Sequence, residues 1–216
     1  MLKIDTFTFN PFSENTYLLS DDSGECVIVD PGCYTAEEKE ELSRSIEEKS
    51  LKPVKILLTH AHIDHILGNN YLAGKYNIPI VMNALEIDLL QSAKVYGEMW
   101  GIIVEPSPAP ELFLKEGDIF SFGHTKLEVI FTPGHSPGSF SYFDRSTNQL
   151  LAGDVLFQES IGRTDLPGGS FPELERSIQD KLYLLPENAI VYPGHGPTTT
   201  IGHEKKANPF VRSLSA

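Results

Sequence analysis

The chain has 216 residues, of which 40% are hydrophobic and 22% charged, as in an ordinary soluble globular protein. Its formal net charge of −13 argues against nucleic acid as a partner. No apolar run approaches the roughly 18 residues of a membrane span, so no membrane association is expected.

The N-terminus and the cysteines indicate a cytoplasmic protein. Residues 2–9 alternate like a strand and lack the unbroken apolar segment of a signal peptide. Two cysteines, Cys26 and Cys33, are too few for a disulfide framework, and we interpret them as reduced thiols. Cys33 follows a turn signal, which leaves a metal-ligand role open.

The first part of the chain alternates between strand and helix patterns. Apolar alternation or short apolar runs predict five strands, over 2–9, 15–20, 26–30, 54–58 and 78–82. Helical spacing predicts three helices, over 35–49 with Thr35 as its cap, 68–76 and 84–99. A proline-rich loop follows over 106–110.

The second part repeats this mixture without a clear sequence repeat. It predicts five strands, over 118–122, 126–131, 139–143, 149–153 and 189–192. One helix is predicted over 171–185, with Ser170 as its cap. Strands in meanders interrupted by helices, twice over, predict an α/β (α+β) fold of two packed sheets with helices outside. We expect one domain over residues 1–216.

The stretch 59–65, with the sequence THAHIDH, holds three imidazoles and a carboxylate directly after an apolar strand. Side chains two apart in an extended chain point the same way, so His60 and His62 can converge on one ion. If a helix begins here, Asp64 and His65 lie in its first turn, turned away from that pair and placed to hold a second ion. These donors suit zinc or a similar first-row metal. Helix capping or a solvated loop is the alternative interpretation.

Three further residues of metal-ligand type each follow a predicted strand beside glycine or proline: His135, Asp154 and His195. Loops at strand ends are where a rigid scaffold presents functional groups. The two remaining histidines, His124 and His203, lie in a polar turn and in a charged helical stretch, and we interpret both as surface residues.

The order His-x-His-x-Asp-His, then a lone histidine, an aspartate and a final histidine, resembles the metallo-β-lactamase superfamily. The resemblance runs from the first strands and the Asp30-Pro-Gly turn to His195. It implies a four-layer αβ/βα sandwich of two mixed β-sheets, with the metals at one edge of the sheets. Asp30 would orient the ligand cluster, or would simply form the turn.

The resemblance also implies two divalent metal ions, zinc first, with iron or manganese as alternatives. The first ion would be bound by His60, His62 and His135. The second would be bound by Asp64, His65 and His195. Asp154 would bridge the two ions.

Within this superfamily, residues 156–169 (LFQESIGRTDLPGG) resemble the small bacterial, glyoxalase II-like branch of hydroxyacylglutathione hydrolases. The Gly-Arg-Thr-Asp element is also similar to persulfide dioxygenases. Phe157 and Arg163 are candidate substrate-binding residues, although Arg163 would equally form a salt bridge with Asp165 or Glu159. Two-domain glyoxalase II proteins carry a C-terminal helical domain that contacts glutathione, and none is expected here.

These features predict a metallo-hydrolase in which a metal-bound hydroxide attacks a thioester carbonyl, with Asp64 and Asp154 as catalytic carboxylates. The expected small-molecule substrate is S-D-lactoylglutathione or a related acylglutathione. The alternatives are a mononuclear iron persulfide dioxygenase, a lactonase or phosphodiesterase on the same centre, and a non-enzymatic metal-binding module. The oligomeric state is not predicted.

Overall fold

The protein's structure is a computed structural model that describes residues 1–212. Two compact units are present in the described chain, one formed by Met1–Leu114 with Ser121–Lys126, the other by Lys115–Phe120 with residues 127–212. Among residues 1–212, none of the helices combines the length and the apolar composition needed to cross a bilayer.

A six-stranded mixed sheet contains the first six strands, ordered along the chain. They are β1 Lys3–Phe9, β2 Glu14–Ser20, β3 Glu25–Val29, β4 Lys52–Leu57, β5 Ile80–Asn83 and β6 Leu112–Leu114. The first three strands pair antiparallel, whereas β3, β4, β5 and β6 pair parallel. The apolar run of β3 suits a strand buried on both faces. The carboxyl ends of β3, β4 and β5 therefore lie at one edge.

The remaining strands form a second mixed sheet and a small hairpin. They are β7 Ile119–Phe122, β8 Thr125–Phe131, β9 Phe140–Asp144, β10 Gln149–Gly153, β11 Leu156–Phe157, β12 Ser160–Ile161, β13 Ile190–Pro193 and β14 Thr199–Thr200. The sheet order is β14-β13-β10-β9-β8-β7, and β11 pairs with β12. Since β9 is antiparallel to β8 and β10, and β13 is parallel to β10, the carboxyl ends of β8, β10 and β13 share an edge.

Within residues 1–212, five α-helices and three short 3₁₀ turns lie between or after these strands. The helices are α1 Ala36–Glu48, α2 Asn69–Tyr76, α3 Ile87–Trp100, α4 Phe171–Asp180 and α5 Ile201–Ala207; the 3₁₀ turns are Ile63–His65, Ala84–Glu86 and Leu182–Leu184. Thr35 caps α1 as predicted, in a capping box with Glu38. Leu42 and Ile46 of α1, four residues apart, are buried in the core of the first unit.

The predicted α/β architecture with two mixed sheets and flanking helices is confirmed. The helix predicted over 171–185 is wrong at its end, because α4 stops at Asp180. Residues 182–185 are four apolar side chains in succession, which cannot all lie on one face of a helix. Lys181 leaves the helical conformation, and a 3₁₀ turn then buries Leu182 and Tyr183. Ser170 is the N-cap residue as predicted, but its side chain makes no capping hydrogen bond.

Candidate metal centre

Loops that leave the carboxyl edge of the first sheet carry the predicted histidine cluster. Asp30 follows β3, the stretch 59–65 follows β4, and Glu86 follows β5. A 3₁₀ turn at Ile63–His65 begins where the sequence predicted a helix. Because the parallel strands end together, these polar residues meet although they are far apart in the chain.

Asp30 is a buried carboxylate that organises this cluster. Its Oδ1 accepts a hydrogen bond from the backbone N of Thr59 at 2.7 Å, and its Oδ2 accepts one from Thr59 Oγ1 at 2.5 Å. Oδ2 also lies 3.2 Å from His65 Nδ1. The residue has a positive φ of 46°, a conformation that Asp tolerates better than most residues. Asp30 therefore both forms the turn and orients a predicted ligand.

The contacts of Asp30 and Thr59 select the ring tautomers of two histidines. Thr59 Oγ1 donates to Asp30, so it accepts the hydrogen of His60 Nδ1, which lies 3.0 Å away. The carboxylate of Asp30 likewise favours a hydrogen on Nδ1 of His65. In both rings the Nε2 lone pair is then available as a metal ligand.

The other members of the cluster lie close to these rings. The ring centroids of His60 and His62 are 4.8 Å apart, and Asp64 Oδ2 is 3.6 Å from His65 Nε2. The ring centroid of His65 lies 4.2 Å from that of His60, so the two predicted ligand pairs are close neighbours, and the assignment of His65 to a second ion stays a prediction. The hydrogen bond to Asp30 holds the His65 ring on this side of the 3₁₀ turn.

Two buried glutamates that no sequence pattern predicted also lie at this edge. Glu14 has no exposed surface, and its Oε1 is 3.8 Å from His65 Nδ1. Burial raises the pKa of this carboxyl group well above its ordinary value, although the nearby His65 acts to lower it. Glu86 is equally buried and accepts a hydrogen bond from the backbone N of Ala61. Glu14 precedes the stretch 59–65 and Glu86 follows it, each by more than twenty residues. Only the fold therefore reveals that they lie beside it.

The second unit presents the other three predicted ligands at the shared edge of its sheet. His135 follows β8, Asp154 follows β10, and His195 follows β13. Asp154 Oδ2 lies 3.5 Å from Nε2 of His135 and 3.6 Å from Nε2 of His195. Two ligand atoms that each bind one ion at about 2.1 Å in tetrahedral geometry are roughly 3.4 Å apart. The Oδ2–Nε2 separations thus fit two ligands of one ion better than a hydrogen-bonded pair, whose donor and acceptor are about 2.9 Å apart.

The tautomer of His135 is fixed by a backbone carbonyl. Its Nδ1 lies 2.7 Å from the carbonyl oxygen of Arg163. A carbonyl oxygen only accepts, so Nδ1 carries the hydrogen and Nε2 faces Asp154 as a lone-pair donor. Nothing in the sequence marked Arg163 for this contact, because a backbone carbonyl leaves no residue-type signal.

Two glycines allow the chain to pass close to these ligands. A Cβ at Gly162 would lie 1.8 Å from the carbonyl oxygen of Asp154 and 3.1 Å from Nδ1 of His135. Gly134 has a φ of +128°, and a Cβ there would lie 2.2 Å from the backbone N of Leu174 in α4. The Pro-Gly-His turn is therefore held against α4. Ser177 of α4 also donates a hydrogen bond from Oγ to the carbonyl oxygen of Pro133 in this turn.

The sequence model described as Metallo-beta-lactamase superfamily matches residues 9–195, most of the chain. The chain belongs to the metallo-β-lactamase superfamily. The seven predicted ligands lie within the matched range or at its last residue, and the histidine and aspartate sets support a dinuclear metal site. The prediction of a metal-dependent hydrolase of this superfamily is confirmed at this level.

Two relatives of similar length are a probable metallo-hydrolase and a hydroxyacylglutathione hydrolase. The chain is 43% identical over 208 residues to the probable metallo-hydrolase YqgX of Bacillus subtilis (strain 168), with 95% of each chain covered. It is 35% identical over 216 residues to the hydroxyacylglutathione hydrolase GloC of Haemophilus influenzae, with 99% of this chain and 100% of GloC covered.

Solved structures show the same superfamily fold. The BLEG-1 B3 metallo-β-lactamase is similar with a TM-score of 0.89 and 38% identity, covering 98% of this chain and 99% of BLEG-1. TTHA1623 in a di-iron-bound form is similar with a TM-score of 0.87 and 37% identity, covering 96% of this chain and 100% of TTHA1623. The predicted metallo-β-lactamase fold is thereby confirmed.

The predicted substrate-binding residues lie near the predicted ligands of the second unit. The ring of Phe157 is 6.2 Å, edge to face, from that of His195. The Arg163 guanidinium forms two hydrogen bonds with the exposed carboxylate of Asp165, at 2.9 and 3.0 Å. The salt bridge that was the alternative for Arg163 is therefore present, while Glu159 instead contacts His203. Substrate contact by Phe157 or Arg163 stays a prediction.

The other candidates of the sequence analysis take structural or surface positions. Cys26 and Cys33 are free and buried, and burial raises the pKa of each thiol to about 12, so both are protonated at neutral pH. Cys33 belongs to the apolar core of the first unit. His124 and His203 are surface residues as predicted, hydrogen-bonded to Asp22 and Glu159 respectively.

Proposed function

We propose that the chain hydrolyses glutathione thioesters, S-D-lactoylglutathione or a related acylglutathione, with the aid of two divalent metal ions. The similarity to GloC over the full length of both chains supports this substrate class. The resemblance of residues 156–169 to the glyoxalase II-like branch, within that same alignment, also supports it.

The observation that carries the metal part of the proposal is the geometry around Asp154. One carboxylate oxygen faces Nε2 of two histidines at 3.5 and 3.6 Å. The Nδ1 atom of one of them, His135, is committed to a carbonyl. A donor set of imidazole nitrogens and carboxylates fits a first-row divalent metal.

The assignment of ligands to ions follows the superfamily pattern. His60, His62 and His135 would hold the first ion, Asp64, His65 and His195 the second, with Asp154 shared. Zinc is the expected metal, and the di-iron form of TTHA1623 makes iron the leading alternative. When bound, two such ions supply a hydroxide nucleophile near neutral pH and polarise the substrate carbonyl.

The chain's own residues position the reacting groups. Asp30 and Thr59 hold His60 and His65 with Nε2 presented, and the carbonyl of Arg163 does the same for His135. Asp64 would orient the nucleophile by accepting its hydrogen bond. The leaving group is a thiolate, whose conjugate acid has a pKa of about 8.5, so no general acid is required.

A substrate screen with metal analysis tests the proposal. Protein stripped of metal and reloaded with Zn²⁺, Fe²⁺ or Mn²⁺ would be assayed against S-D-lactoylglutathione, other acyl thioesters, a lactone, a phosphodiester and a β-lactam. We expect two metal ions per chain and the highest kcat/KM with an acylglutathione. One iron per chain, with oxygen uptake on glutathione persulfide and no thioester hydrolysis, would establish the dioxygenase instead.

A further inference from the structure

Glu14 is a fully buried carboxyl group that reaches the metal-ligand cluster from the interior of the first unit. It begins β2 and has no exposed surface. Its Oε1 lies 3.8 Å from His65 Nδ1, and its Oε2 accepts a hydrogen bond from Thr16 Oγ1 at 2.9 Å. A Cβ at Gly32 would lie 2.0 Å from Oε2, so the neighbouring turn encloses the carboxyl group closely.

Thr16 joins Glu14 to the turn that contains Asp30. Its Oγ1 is 3.0 Å from the carbonyl oxygen of Asp30 and accepts a hydrogen bond from the backbone N of Gly32 at 2.8 Å. The side chain of Asp30 contacts the same His65 nitrogen at 3.2 Å. Glu14 thus lies beside His65. Through Thr16 it also supports the turn of Asp30, whose side chain contacts the same ring.

The surroundings of Glu14 differ from those of another fully buried carboxylate in this chain. Glu204 accepts hydrogen bonds from the backbone N of Glu159, from Thr199 and from Asn208. Glu14 accepts one, from Thr16, and within residues 1–212 its Oε1 has no hydrogen-bond donor closer than His65. A carboxyl group is costly to bury without partners, so its interaction with the imidazole is the compensating contact.

We propose that Glu14 is a positioning residue for His65. Glu14 and Asp30 place two carboxyl groups beside Nδ1, at 3.8 and 3.2 Å, and together they fix the ring with Nε2 presented to the second metal ion. Asp30 accepts the hydrogen bond of Nδ1, whereas Glu14, at 3.8 Å, acts on the same ring through packing and electrostatics. Outer groups of this kind fix the orientation of a ligating histidine and raise its basicity. The inference rests on the proposed dinuclear centre.

Cobalt titration of the metal-free protein tests this role, because Co²⁺ absorption reports each binding step separately from catalysis. In Glu14→Gln we expect the first equivalent to bind as in the wild type and the second to bind roughly ten- to a hundred-fold more weakly. Glu204→Gln is the matched control, since it removes a buried carboxylate that contacts none of the ligands, and its two affinities should equal those of the wild type.

The outcomes separate this inference from the proposed function. Wild-type protein that binds a single equivalent contradicts the dinuclear centre itself. Two wild-type affinities in Glu14→Gln overturn the role of Glu14 alone, whatever the thermal stability of the variant. Should Glu14→Gln fail to fold, Glu14→Asp keeps the carboxylate but withdraws it from His65. A second-site affinity in Glu14→Asp equal to that of the wild type would likewise overturn the inference.

Discussion

Replacing Asp30 by asparagine tests whether a buried carboxylate sets the tautomer of a metal ligand. Asparagine has the same shape and tolerates the φ of 46° at this position. If the amide nitrogen takes the place of Oδ2, it presents an N–H to Nδ1 of His65, and the ring must then carry its hydrogen on Nε2. If it takes the place of Oδ1, it faces the backbone N–H of Thr59.

Both orientations of the amide carry a penalty whose size can be estimated. A buried donor that faces another donor costs about 1–3 kcal/mol of folding free energy. In the first orientation, Nε2 of His65 is no longer a ligand. Loss of the group that orients a ligating histidine lowers metal affinity by roughly 10- to 100-fold. We therefore expect Asp30→Asn to lose both stability and affinity for the second ion.

Urea unfolding of the metal-free protein and a Co²⁺ titration measure the two effects separately. Asp144→Asn is the matched control, because Asp144 is a buried carboxylate that accepts hydrogen bonds from Ser146 N, Ser146 Oγ and Thr147 Oγ1. It should lose a similar amount of stability and keep both metal affinities. Asp30→Asn that binds two ions as tightly as the wild type would refute the reasoning about the tautomer.

Three further substitutions address the second unit. Asp154→Ala should lose bound metal and thioesterase activity together, and full activity in that variant would rule out the two-metal scheme. Gly162→Ala should lower stability and activity sharply, because its Cβ would overlap the carbonyl of Asp154, whereas Gly74→Ala in α2 has open space and should be neutral or slightly stabilising by thermal unfolding. Arg163→Ala keeps the carbonyl that binds His135, so metal content should be unchanged while KM for acylglutathione rises; an unchanged KM would remove its side chain from substrate binding.

The places of the predicted ligands at the sheet edges could be predicted from the sequence because their signal is local, while their binding of metal stays a prediction. The stretch 59–65 gathers four metal-ligand side chains after one strand, and His135, Asp154 and His195 each follow a strand beside glycine or proline. Strand ends and turn residues can be recognised in a single sequence. They indicate that metal-ligand residue types beside them lie at sheet edges. Two sheets with helices outside could be predicted from the same local patterns, while their mixed strand directions came from the resemblance to the superfamily.

The groups that orient the ligands could not be predicted. Thr59 and Glu14 carry no pattern of their own, and the contact of His135 uses a backbone carbonyl. These interactions depend on which strands are neighbours, which only the fold determines. The strands β6, β11, β12 and β14 have two or three residues each, too few for alternation to be recognised.

The most direct test of the central claim is the activity of metal-stripped protein on S-D-lactoylglutathione during a stepwise addition of Zn²⁺. Hydrolysis should rise with added metal and reach its plateau at two ions per chain. A plateau at one ion per chain would contradict the dinuclear centre, and absence of hydrolysis with both ions bound would contradict the proposed substrate.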